Sequence, residues 1–172
     1  MTSCCRGRPC AEIFTPRFAR RSARRYRSKG LDRVERYMLA HAAREGVEGA
    51  RVLEIGGGVG RLQTELVKAG ASSGEIVELV PAYEQYAREL ARDAGIEGRT
   101  TFRVADILED PVGVEPADVV LLNRVVCCSP DGIELAAEAA RHTQRALILS
   151  YPRDLLPIRA AVRLQNLTFR LL

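Results

Sequence analysis

No apolar run in this chain of 172 residues approaches the roughly 18–20 residues that span a membrane, so no transmembrane helix is expected. The first 36 residues lack the apolar core of a secretory leader, because arginines interrupt them throughout. The five cysteines, Cys4, Cys5, Cys10, Cys127 and Cys128, are odd in number and lack disulfide-scaffold spacing, which points to a reducing cytoplasm. No second cysteine or histidine cluster completes a four-ligand zinc site with the three N-terminal cysteines, so no metal is expected. No Gly-Lys-Ser/Thr step follows any glycine run, which excludes a phosphate-binding P-loop. What remains, 47% hydrophobic and 28% charged, is the composition of one globular unit with a sizeable core.

The charge is unevenly spread. Residues 1–51 hold 13 of the 26 Lys and Arg but only 5 of the 22 Asp and Glu. Residues 1–30 are therefore expected to form a basic, partly flexible arm, ahead of a domain spanning 31–172. Within the arm, residues 13–29 interleave arginines with Phe14, Phe18 and Tyr26. Ala19, Ala23 and Tyr26 recur at helical spacing after Pro16. Two readings stay open: a contact with RNA, an acidic lipid surface or an acidic substrate, or a solvated helix whose aromatics dock on the domain. A second helix is expected over 31–46. Its apolar stripe is Leu31, Val34, Tyr37, Met38, His41 and Ala42, and Gly46 stops it.

The chain is organised around Arg51 to Gly60, RVLEIGGGVG. A β-branched run carrying Glu54 breaks into Gly56, Gly57, Gly58 and Gly60, and a helical pattern through Leu62, Leu66 and Val67 follows. Strand, glycine turn and helix cradle a nucleotide-like ligand: glycines let the backbone approach it, and the helix N-terminus offers unpaired N–H groups. The dinucleotide pattern GxGxxG fails, since its third glycine would fall at Arg61 or Gln63. The pattern that fits is acidic-x-Gly-x-Gly-x-Gly. A carboxylate at the mouth of such a loop repels phosphates and suits a ligand with an ammonium and a sulfonium.

Four more strands are expected. Glu75–Leu79 ends near Glu78, placed some twenty residues beyond the loop to bond two ribose hydroxyls. Thr101–Val104 leads into Asp106 and Ile107. Asp118–Leu122, apolar as the buried centre of a parallel sheet is, ends at Asn123 and Arg124. Ala146–Ser150, after a helix over Glu134–His142, ends at Tyr151.

Taken together, Glu54, Gly56, Gly58, Gly60, Glu78, Asp106 and the strand ending at Asn123 resemble the class I S-adenosylmethionine-dependent methyltransferase family, of the small-molecule type. Magnesium-protoporphyrin O-methyltransferase-like proteins are a distant neighbour whose substrate does not carry over. The resemblance implies an α/β, Rossmann-like fold with a mostly parallel sheet and helices on both faces. It implies S-adenosyl-L-methionine as cofactor, held by Glu54, Gly56, Gly58, Gly60, Glu78, Asp106 (toward the adenine amino group), Ile107 (over the ring) and Asn123. Arg124 and Tyr151 are then candidates for substrate positioning. No residue pattern identifies a general base, and none is needed for transfer to an already anionic oxygen.

One departure stands out. The family sheet carries seven strands ending in an antiparallel hairpin, and five are legible here. The chain is thus expected to be short at its C-terminus, with an apolar helix over 155–172 that a partner subunit or second copy would cover. Two other functions stay open: an inactive cofactor-binding subunit, and an RNA-directed methyltransferase that uses the basic segment.

Overall fold

The computed structural model describes residues 14–151. The N-terminal cysteines and the expected helix over 155–172 lie outside the described residues, as does the question of a terminal hairpin.

Two helices precede the sheet. α1 (Pro16–Lys29) starts at Thr15, with Pro16 in its first turn and its Ala19 and Ala23 fully buried. α2 (Arg33–Glu45) is opened by a capping box: the Asp32 side chain accepts from the Glu35 N–H at 3.0 Å, and the Glu35 side chain accepts from the Asp32 N–H at 2.7 Å. The alternation then runs β1 (Arg51–Ile55), α3 (Arg61–Lys68), β2 (Ser73–Glu78), α4 (Glu84–Asp93), β3 (Thr100–Val104), β4 (Ala117–Asn123), α5 (Gly132–Arg141) and β5 (Thr143–Ser150).

All five strands are parallel, in the order β3-β2-β1-β4-β5. The expected strands sit where the sequence placed them, with starts moved by one to three residues. The expected stripe of α2 needs correction. Tyr37 and His41 face solvent, and the buried face is Leu31, Glu35, Met38 and Ala42. A carboxylate occupies a core position because it has partners there, described below.

Strand alternation sends side chains to two apolar layers. Val52, Val119 and Leu121 pack with α2 and α3, whereas Leu53, Val120 and Leu122 pack with Leu135 and Ala139 of α5. Val119 to Leu122 are wholly buried, as expected for a strand covered on both faces. A third cluster joins Ala19 and Ala23 of α1 to Val59, Val80, Tyr83 and Leu90, so α1 is packed on the domain.

Candidate functional site

The sheet order reverses at β1, which lies between β2 and β4. In such sheets the crevice outside the strands' carboxyl ends, at the reversal, is where ligands bind. Here a cavity of about 650 Å³ opens at that place. Glu54, Gly56, Gly58, Glu78, Asp106, Ile107, Asn123 and Arg124 all line it. Gly60 does not, and acts one step removed as the N-cap of α3. Tyr151 stands apart from the cavity, largely exposed just after β5.

The loop after β1 needs its glycines for two reasons. Gly56, Gly58 and Gly60 all have positive φ, near 60–70°. In addition, a Cβ on Gly60 would lie 2.5 Å from Ile76 Cδ1, and one on Gly57 would lie 2.9 Å from the carboxyl carbon of Glu54. The loop thus passes too close to its surroundings for any side chain at these positions.

Glu78 ties this loop to the end of β2. One carboxylate oxygen accepts from the Gly58 N–H at 2.9 Å and the other from the Val80 N–H at 3.0 Å. Burial raises its pKa above the usual carboxylate value, and those two amides pull the other way. Glu54 is more deeply set. Its carboxylate accepts from the Gln63 N–H at 3.1 Å, in the first turn of α3. Burial pushes its pKa up to about 8; the Gln63 N–H and Arg61 oppose that rise, and Glu35 and Glu78 add to it.

Two residues of this floor escaped the sequence reading. Glu35 Oε1 lies 2.7 Å from an Arg61 guanidinium nitrogen, and the same oxygen accepts from Asn123 Nδ2 at 3.3 Å. Both Glu35 and Arg61 line the cavity. A legible signal for Glu35 was the Asp32-x-x-Glu35 spacing of a capping box, and for Arg61 its place directly after the last glycine. Asn123 is held from its other side, its Oδ1 accepting from Ser150 Oγ at 2.7 Å. The docking of the arm's aromatics on the domain, one of the two open readings, is seen here, whereas their place in the cavity lining was missed. Phe14, Phe18 and Ser22 line the cavity, and Phe14 sits edge-on to Phe18 at 5.6 Å and tilted to Tyr83 at 6.3 Å. Cys128 is also in the lining, and Cys127 is not.

The chemistry of the lining can be summed. Glu35, Glu54 and Glu78 are buried acids, and Arg61 is the cation that pairs with the first of them. An apolar enclosure with more acid than base disfavours a phosphate-bearing ligand and suits one with an ammonium and a sulfonium. Glu78 presents a carboxylate acceptor suited to a hydroxyl pair, and Ile107 an apolar surface suited to an aromatic ring. The residues present fit S-adenosylmethionine.

A family profile described as a methyltransferase domain matches residues 52–146. Among solved structures, the magnesium protoporphyrin IX methyltransferase of Synechocystis PCC 6803, with bound S-adenosylhomocysteine, superposes with a TM-score of 0.71 at 19% identity, over 92% of this chain and 77% of that one. A methyltransferase from Thiobacillus denitrificans in complex with S-adenosylhomocysteine gives 0.51 at 20% identity, over 63% and 44%. The [4+2]-cyclase SpnF gives 0.57 at 18% identity, over 66% and 43%. The chain thus spans less than half the length of the last two. At these identities the likeness is one of fold, and the cyclase shows that the fold alone fixes no reaction. No curated protein sequence matches the chain.

Proposed function

The chain belongs to the class I S-adenosylmethionine-dependent methyltransferases, and from that premise we propose that it transfers a methyl group to a small-molecule acceptor in the cavity at the ends of β1, β2 and β4. The observation that carries the reading is the Glu78 carboxylate. It lines the cavity at the end of β2 while its two oxygens anchor Gly58 and Val80. That arrangement fixes a pair of acceptor oxygens at one point of the crevice wall.

In this reading Glu78 takes the ribose hydroxyls, and Asp106 and Ile107 take the adenine. Gly56 and Gly58 let the backbone approach the ligand, and Glu54 faces its ammonium. Asn123, fixed between Glu35 and Ser150, stiffens the wall beside the methionine end. When bound, S-adenosylmethionine supplies a methyl group already activated by its sulfonium, so the protein's task is alignment and exclusion of water. Phe14 and Phe18 supply the exclusion from above, and Arg124 positions the acceptor at the edge. Tyr151, largely exposed just after β5 and outside the cavity lining, serves the acceptor's approach in this reading. The N-terminal segment then belongs with the domain it roofs, although 1–30 and 31–172 are separable by charge.

The test is a calorimetric titration with S-adenosylhomocysteine. Micromolar binding that Glu78→Ala weakens by about 1–3 kcal/mol, the usual cost of losing a charged hydrogen-bond partner, supports the reading. A folded wild-type chain that binds nothing overturns it.

A further inference from the structure

Acidic and basic side chains in this molecule are sorted by depth. The cavity floor holds Glu35, Glu54 and Glu78. The outside of α1 holds Arg17, Arg20, Arg21, Arg24 and Arg25, none of which has an acidic partner among the described residues; Arg27 alone on this helix pairs, with Glu89 and Asp93. Resting on the reading above, we infer that the acceptor carries an anionic group, carboxylate or phosphate, on an apolar body, and that Arg21, Arg25 and Arg124 hold that group at the cavity mouth.

Helix geometry selects the two arginines. Phe18 and Ser22 are the α1 residues that line the cavity. Arg21 and Arg25 each follow one of them by three positions, about 60° round the helix, whereas Arg20 and Arg24 lie about 120–160° round from the same pair. Long helical side chains lean toward the helix N-terminus, so Arg21 and Arg25 stand over the turns that carry Phe18 and Ser22. Phe18 is 49% exposed and forms the wall where an apolar body would rest.

Arg124, itself in the cavity lining, is the third arginine of the mouth. It is the one non-glycine residue among those described with a positive φ, 61°. Its N–H donates to the Ser150 carbonyl oxygen at 3.2 Å and Oγ at 3.1 Å, and its guanidinium meets Asp32 at 2.9 Å. A costly backbone geometry is thus maintained at the cavity edge. Asp32 also caps α2, so it takes only part of a guanidinium with five donors. Asp131 is an acid on the same rim, outnumbered by three arginines. An acid floor and a basic rim give an anionic acceptor one orientation. Its charged group stays outside, and the atom that receives the methyl group is at the other end.

The experiment is calorimetry on the full chain, with and without saturating S-adenosylhomocysteine. Three probes of one shape are used: 2-naphthoate, 2-naphthyl phosphate and the neutral 2-naphthamide. At least one anion should bind about tenfold more tightly than the amide, the scale of one charge-assisted hydrogen bond. Whichever anion shows the gap names the group. Arg21→Gln/Arg25→Gln should close the gap, Arg124→Gln should narrow it, and Arg20→Gln/Arg24→Gln should leave it. These arginines of α1 are exposed, so the variants keep the fold. Equal binding of the three probes, no binding of any, a gap that survives Arg21→Gln/Arg25→Gln, or equal loss in both double variants would each overturn the inference. If S-adenosylhomocysteine itself fails to bind, the methyltransferase reading falls, and the probe gap on the ligand-free chain still decides the arginine subsite.

Discussion

Glu35 of α2 and Arg61 of α3 meet at 2.7 Å beneath the cavity, the acid almost wholly buried and the guanidinium about one-fifth exposed. This contact joins the helix that precedes the sheet to the helix that follows the glycine loop. The same carboxylate closes the α2 capping box and holds Asn123 at the end of β4. Arg61→Ala should therefore leave a buried charge with neutral partners only, and lower stability by about 3 kcal/mol. Glu35→Leu/Arg61→Met should recover much of that loss in chemical denaturation. A double variant no more stable than Arg61→Ala would show that the pair is not the relevant unit.

Gly60 gives a second, purely steric prediction. Its φ is 71° and a Cβ there would meet Ile76 Cδ1 at 2.5 Å. Gly60→Ala should cost about 1–3 kcal/mol through strain and overpacking. Adding Ile76→Val removes the clashing atom and should return part of the loss, leaving the left-handed strain. Identical melting of the single and double variants would refute the contact.

Ligand binding should depend on pH through Glu54. Its folded-state pKa, about 8 against an ordinary 4.5, means the ligand-free chain holds a proton here that the unfolded chain releases. Without ligand, the contribution of this group to stability is full below about 4.5 and is lost as pH rises to about 8. A ligand ammonium favours the ionised form. Affinity for S-adenosylhomocysteine should thus rise between pH 6 and 8, by at most about tenfold per unit. Glu54→Gln should flatten the slope, and an unchanged slope in that variant would assign the proton elsewhere.

Phe18 tests the roof. Phe18→Ala removes half of the Phe14–Phe18 edge contact over the cavity. It should weaken S-adenosylhomocysteine by about 0.5–1.5 kcal/mol, the scale of one aromatic contact, while leaving the melting temperature nearly unchanged. Undiminished affinity would place the roof's role with the acceptor alone.

The glycine loop, the five strands and the acid at the end of β2 were legible because they are local. Each depends on a short run whose chemistry is visible in a few consecutive residues. Glu35 and the aromatic roof were not legible for the opposite reason. Glu35 and Asn123 are 88 residues apart in the chain, and a carboxylate on a helix reads as solvated until its partners are known. Tyr37 and His41 were assigned to the buried stripe because an apolar count favours them there. What decides the face is the pair of specific partners that Glu35 finds. α1 was legible in part: the reading that its aromatics dock on the domain holds, although arginines dominate its composition, and two alanines and a phenylalanine decide where it sits.

The order of the chain and the order of the sheet are at odds, with a consequence for synthesis. α2 leaves the ribosome before any described strand, yet its buried face rests against Val119, Leu121 and Ile148 on β4 and β5, made about a hundred residues later. Until then Met38 and Ala42 have only Val52 of β1, among the strand residues of their cluster, to pack with. The nascent chain thus carries a half-covered apolar helix until β4 and β5 emerge, and the packed site forms only with the last described strand.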